Sequence, residues 1–430
     1  MKRQKTKMQK TNEDEKTKLT SKTSPHLPWE ILRLIFLRAT VPTIFVVPDC
    51  RPQGAWNLNT KMKLQLVSVC KDWYEASISL LYEDIAIYSL KQFGALMSTL
   101  DKKSSLAAQV VSLRVATHIP VTHLPLFQRL VDTVSRNVCL NLRRFSFEES
   151  FLVMDEGNPF VRPTNIKDPP CITLTTLTHL EIHSTLSIPL YQVLMSMPLF
   201  AGRLESLIIL TKEPEHCWLV PTKPSQPLQF PLLRVFQYQL EYLNLQFITA
   251  YWAFPVLDTL ASFVSPGLAI STQDEEYHVV FLKAHGKRLK TLLLEWPKPA
   301  SDTTSAQEAI DTLSHLRHLI IPPFLDVSAS QVHWLDCFLK DDVPTERLVL
   351  FSDHDRHTRF PNLQSYRFLD SDLVRKLPLL PTLLPPTTEE CRFTFPGVDI
   401  RCDTSALWGS SGLVWDKEGL DYSSVALIGK

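Results

Sequence analysis

Few side chains in this sequence are spaced for chemistry. The densest polar grouping is Asp353, His354, Asp355 and His357, inside the stretch FSDHDRHTRF. Imidazole nitrogens and carboxylate oxygens are donors that zinc accepts. The spacing His354-x-x-His357 is not H-E-x-x-H, which would set two histidines on one helical face beside a glutamate base. A solvated loop with no metal is therefore expected there. Trp408-Gly409-Ser410-Ser411-Gly412 places serine among glycines. It misses the G-x-S-x-G spacing that holds a nucleophilic serine on a strained turn, and a plain turn is expected. The eight cysteines are spread along the chain and none forms C-x-x-C, which argues against a zinc module and a compact disulfide framework. Reduced, mostly buried thiols are expected instead; Cys70 reads as a packing residue rather than a nucleophile. No G-x-G-x-x-G or G-x-x-x-x-G-K-[ST] occurs, and 11 glycines in 430 residues leave little for phosphate-cradling loops. The expectation is a non-catalytic chain without a cofactor.

The rest of the composition fits that reading. Hydrophobic residues make up 44% and charged residues 21%, enough for a large core and unlike a disordered chain. Lys plus Arg and Asp plus Glu are both 45, so no global charge points to nucleic acid. Residues 1–23 carry Lys2, Arg3, Lys5, Lys7 and Lys10, then Glu13, Asp14 and Glu15. They read as a disordered basic arm without the apolar stretch of a secretory signal. No later stretch offers ~18 uninterrupted apolar residues, so no membrane span is expected. The expected location is cytoplasmic, nuclear or both.

At Ser24 the texture changes. In SPHLPWEILRLIFLRAT, Leu27, Ile31 and Ile35 are spaced by four, as are Leu32 and Phe36. This spacing predicts an apolar stripe on a helix over 28–39, with Pro28 at its first turn and Pro42 beyond its end. Residues 40–60, with Pro42, Pro48, Pro52 and Gly54, read as a loop. The next stretch, KMKLQLVSVCKDWYEASISLLYEDIAI, fits two short helices meeting near Cys70. Helices this short are marginal alone and must pack on each other or on a partner.

Together these stretches resemble an F-box of the fungal type. The match runs through Leu27, Pro28, Glu30, Ile31, Leu32, Ile35 and Phe36, then Val69, Cys70, Lys71, Trp73 and Ala76. Leu81-Tyr82-Glu83-Asp84-Ile85 is similar to the segment that follows the box in many fungal members, and the Pro-rich insert also occurs among them. The resemblance covers residues 24–86. It implies three helices that bind a Skp-family adaptor and, through it, a cullin scaffold. The implied adaptor-binding residues are Leu27, Pro28, Ile31, Leu32, Ile35, Phe36, Val69 and Trp73. A unit this small cannot bury all of Leu27, Ile31, Ile35 and Trp73 internally. Each one seated in a partner's groove contributes ~1.5–3 kcal/mol before ordering costs, and an apolar helix face in a groove is a known mode of recognition.

From about residue 105 one short pattern, L-x-x-L-x-L, returns. Copies begin at Leu142, Leu177, Leu204, Leu233, Leu257, Leu289 and Leu316, with looser ones at Arg347–Leu350 and Leu363–Phe368 and a weak one at Val111–Val115. Phe-Pro or Pro precedes several copies, and amphipathic stretches such as 189–194 and 305–313 lie between them. The series resembles a degenerate leucine-rich-repeat domain over 105–386. Thr185 and Lys212 stand where the family often has Asn after the strand. The expected fold is α/β, a small N-terminal helical box followed by an irregular, horseshoe-like solenoid with its strands on the concave side. Residues 387–430 lose the rhythm and read as an irregular cap or tail. The x positions of the motif alternate outward. They nominate His179, Glu181, Arg234, Val235, Lys290, Leu293, Arg317 and His318 for binding an unknown protein target.

The resemblance implies a substrate-recognition subunit of an SCF-type cullin ubiquitin ligase. Two other readings stay open: a ligase-independent repeat scaffold for protein interactions, and an enzyme of unrecognised type.

Overall fold

A computed structural model describes residues 27–40, 55–117, 139–149, 176–184, 197–211, 226–239, 242–263, 272–295, 303–322, 325–339 and 358–370, together with four two-residue strands between 394 and 420. The described residues open with helices α1 (Trp29–Ala39), α2 (Ala55–Ser68) and α3 (Lys71–Glu83). The Pro28 carbonyl starts α1, accepting from the N–H groups of Ile31 and Leu32. Thr40 ends it, donating both its N–H and its hydroxyl to the Phe36 carbonyl. Glu30 in the first turn and Arg38 in the last suit the helix dipole.

Leu32 and Phe36 turn inward and form a small core with Leu66, Ala76 and Leu80. The Trp73 ring lies 4.8 Å from that of Phe36. Helix α2 starts inside the stretch expected to be a loop. Its buried side chains are Trp56, Asn59, Lys63 and Leu66, which recur every three or four residues along one face. Two of the four are polar, so hydrophobic periodicity gives no sign of its first turns; its second half and α3 are the two helices expected to meet near Cys70.

Strand β1 (Asp84–Ile87) follows α3 without a break. After α4 (Leu90–Lys102) and α5 (Ser104–Ala107) come β2 (Ser112–Val115), β3 (Arg144–Glu149), β4 (His179–Ser184) and β5 (Ser206–Thr211). Then follow β6 (Leu228–Gln229), β7 (Val235–Gln239), α6 (Tyr242–Tyr251), β8 (Trp252–Ala253) and β9 (Thr259–Ser262). The series continues with α7 (Thr272–His285), β10 (Thr291–Leu294), α8 (Thr304–Asp311), β11 (His318–Ile321), β12 (Trp334–Leu339) and β13 (Ser365–Asp370).

The architecture is α/β. Among the described residues, eleven strands form one sheet in the order β1-β2-β3-β4-β5-β7-β9-β10-β11-β12-β13, and β6 pairs with β8 separately. Every pairing in the large sheet is parallel. Parallel neighbours need crossover connections, and α6, α7 and α8 supply them in turn, with α7 packed between the other two. Strand β1 belongs to this sheet although the sequence groups it with the helical segment 24–86. Near the end of the chain, Thr394–Phe395 pairs with Val398–Asp399, and Trp415–Asp416 with Gly419–Leu420.

The repeated motif is the register of the sheet. Leu113, Phe145, Leu180, Leu207, Phe236, Leu260, Leu292, Leu319 and Leu335 stand side by side on successive strands and all are buried in one core. The motif's first Leu sits before each strand, and Leu142, Leu177, Leu204, Leu233, Leu257, Leu289 and Leu316 are all fully buried. Phe230, Phe254 and Phe360, each followed by Pro, anchor tight turns, their carbonyls accepting from the N–H groups of Leu233, Leu257 and Leu363. Proline suits the second position of such a turn.

Most strands are tied to their predecessor by a forked bond. The Arg143 carbonyl accepts from the N–H groups of Thr178 and His179, and the Thr178 carbonyl from Glu205 and Ser206. The Glu205, Arg234, Asp258, Lys290 and Arg317 carbonyls do the same for the strands after them. Side chains reinforce the entry turns: Asn141, Thr176 and Asn362 donate to the carbonyls of Ala108, Leu142 and Ser330.

Two sequence expectations need correction. A further copy, Val332-His333-Trp334-Leu335-Asp336-Cys337, builds β12; the looser copy at Arg347–Leu350 lies outside the described residues. Outward positions were expected to be exposed, but burial alternates only on β2, β3 and β4. On β7, β9 and β11 every residue is buried, as in parallel sheets covered on both faces.

Candidate functional site

Three surfaces around the helical unit and the sheet carry the candidate residues. The first is the outward face of α1. Its sequence WEILRLIFLRA is apolar at most positions, and a helix packed on one side can bury only one stripe. Leu32 and Phe36 take the inner stripe at 7% and 1% exposure, leaving Leu27 at 53%, with Trp29, Ile31, Leu34 and Ile35 also exposed. Leu58 and Met62 of α2, Val69 between α2 and α3, and Tyr74 of α3 are exposed as well.

Of the expected docking residues, Leu27, Pro28, Ile31, Ile35 and Val69 are therefore accessible. Leu32 and Phe36 are not, because they are the core of the unit, and Trp73 is half-buried against Phe36. Trp29 and Leu34 are accessible residues that the motif match passes over; the signal for them is the excess of apolar positions on a short helix. Cys70, expected to be packed, is exposed.

The second surface is the sheet. The eight residues nominated for target binding divide by position. Arg234, Lys290 and Arg317 are exposed just before β7, β10 and β11. His179 and Glu181 are half-buried on β4, whereas Val235, Leu293 and His318 are buried. The last three are corrections: their face of the sheet is covered, so they offer nothing to a partner.

Several polar groups on the sheet are paired within the protein. Burial alone would raise the Glu181 carboxyl, but Arg114 at 4.0 Å and the His183 imidazole outweigh it and hold it at about 2. Burial and the neighbouring Arg144 push His179 down to about 4, and its Nδ1 shares a hydrogen bond with the Thr178 hydroxyl at 2.8 Å. Asp336 is fully buried. Its two oxygens meet His318 Nε2 at 2.7 Å and Trp334 Nε1 at 3.1 Å, so the cost of burying a carboxylate is offset by full pairing.

The third surface is a cavity of about 800 Å³ between the helical unit and the end of the sheet where β2 to β7 begin. Thr40 of α1, Lys63 of α2 and Glu83 of α3 face Arg143, Arg144 and His179 across it. Burial lowers the Lys63 ammonium, partly offset by Asp84 and Glu83. Burial and Asp84 raise the Glu83 carboxyl, partly offset by Lys63. No sequence motif marks Thr40 or Lys63.

Little else among the described residues is arranged for chemistry. The Asp353–His357 cluster and Trp408–Gly412 lie outside them. Within them no group of three His, Cys, Asp or Glu is placed to hold a metal ion. Nor is any described helix long and apolar enough to cross a membrane. A scan against protein-family models finds no match to this chain, and a search of curated proteins finds none either.

Proposed function

We propose that this chain is the substrate-recognition subunit of an SCF-type cullin ubiquitin ligase. On this reading residues 24–86 are an F-box that docks a Skp-family adaptor, and the sheet and its helices are a degenerate leucine-rich-repeat solenoid that selects a target protein. The observation that carries the reading is the division of α1, with Leu32 and Phe36 turned inward and Leu27, Ile31 and Ile35 left exposed. A free helix gains nothing from such a face in water, whereas a partner groove desolvates it. The chain-order parallel sheet supports the solenoid part, since stacked strand–crossover units give that order. Target contacts fall first to the exposed residues Arg234, Lys290 and Arg317 before the strands, and less to His179 and Glu181, which are half-buried on β4. The mechanism is proximity: the receptor raises the effective concentration of its target near the ligase. Co-expressed with a Skp-family adaptor, the full chain is expected to co-purify with it, and Leu27→Ala with Ile31→Ala to lose most of the adaptor. A folded wild-type chain that elutes without adaptor would remove the ligase reading and leave a repeat scaffold.

A further inference from the structure

The cavity between the helical unit and the sheet is lined by an ammonium that has no hydrogen-bond or ion-pair partner among the described residues. Lys63 is only 7% exposed and lines the cavity. Among the described residues no acceptor lies within hydrogen-bonding or ion-pairing distance of its Nζ. Glu83 and Asp84 act on it only through space. A buried ammonium has three donors to satisfy, and leaving them unpaired is strongly unfavourable. Across the cavity lie the guanidinium groups of Arg143 and Arg144, and Arg144 acts through space on Glu83 and His179.

The remaining lining is apolar. Leu37 and Leu80 come from the helices, and Leu140 and Leu232 from the turns before β3 and β7. Leu140 and Leu232 are among the exposed large hydrophobic residues of the chain. The volume falls within the range of small-molecule sites. Glu83, Asp84 and Glu205 also line the space, so a bare inorganic anion gains little from net charge, and an apolar body is needed to hold it.

We propose that this cavity binds a small organic anion, its phosphate or carboxylate oxygens held by Lys63 and Arg144 and its apolar body against Leu37, Leu80, Leu140 and Leu232. The bound molecule joins the helical unit to the sheet, because its partners come from both. The site needs neither the adaptor nor a target, so it stands or falls apart from the ligase reading.

Calorimetric titration of the full chain tests this with four probes: phenyl phosphate, phenylacetate, inorganic phosphate and benzyl alcohol. At least one of the two aromatic anions is expected to bind one to one, at least tenfold tighter than inorganic phosphate or benzyl alcohol, and to raise the thermal midpoint. Which of the two binds tells phosphate from carboxylate recognition. Arg144→Gln should weaken binding at least tenfold with the unliganded midpoint unchanged. Lys63→Met should abolish binding and raise the unliganded midpoint by a few degrees, since it removes an unpaired buried charge. A lowered midpoint for Lys63→Met would mean that Lys63 is a structural partner of Glu83 and Asp84, and would overturn the proposal. So would the absence of saturable binding by either aromatic anion, or an unchanged affinity in Arg144→Gln.

Discussion

His179 and His285 are held as neutral imidazoles inside the fold. Burial is the main cause for both and brings each down to about 4; Arg144 adds to the effect at His179, and a backbone hydrogen bond to Thr249 opposes it at His285. The unfolded chain takes up these protons near the ordinary histidine value, while the folded chain refuses them until about pH 4. Between those values the unfolded state binds more protons, so stability falls as the pH falls. The loss is on the order of 2 kcal/mol for each residue. Glu181 acts in a lower window: its carboxylate stabilises the fold above the ordinary glutamate range, and that contribution is lost as the pH falls toward about 2. The thermal midpoint is therefore expected to drop between about pH 6.5 and pH 4, and His179→Gln with His285→Gln should flatten that drop. A midpoint equally steep in the double variant would contradict the assignment. None of this is visible in the sequence, where His179 reads as a surface contact. Its burial comes from strands and a helical unit far apart in the chain.

Gly286, in the turn between α7 and β10, is a glycine for reasons of space. A methyl group there would come within 2.3 Å of a Leu313 methyl carbon and 3.5 Å of one of Leu289. The turn before β10 thus packs directly against the residue that opens the next one. Gly286→Ala should destabilise by about 1–2 kcal/mol through overpacking. Leu313→Ala is destabilising on its own account, but combined with Gly286→Ala it should cost less than the sum, measured as unfolding midpoints in denaturant. Strict additivity would refute the contact.

At the scale of elements the sequence is legible where one residue type does one job. The opening Leu of the motif is always buried, so seven strands could be counted from it. Strand β12 escaped notice because Val332 and Cys337 fill positions elsewhere held by Leu, and β1 because it is attached to a helix. The first turns of α2 were hidden by Asn59 on its buried face. Outward positions were misjudged at Val235, Leu293 and His318, since alternation along a strand fixes which face a side chain takes but not whether that face is covered.

For the whole molecule, the exposed stripe of α1 is what most needs a partner. Periodicity placed Leu27, Ile31, Leu32, Ile35 and Phe36 on one helix. It could not say which would turn inward, because all five are apolar and the choice depends on Trp73, Ala76 and Leu80 of another helix. The division makes the ligase reading separable by mutation, since the proposed docking residues and the proposed target residues sit on different parts of the chain. The decisive measurement is the affinity of the purified full chain for a purified Skp-family adaptor. It should be compared among wild type, Leu27→Ala with Ile31→Ala, and Lys290→Glu with Arg317→Glu, each shown to keep the wild-type thermal midpoint. A one-to-one complex is expected, weakened at least tenfold by the first pair and unchanged by the second. A folded wild-type chain that does not bind, or two variants that bind alike, would contradict the reading of this chain as an adaptor-docked receptor.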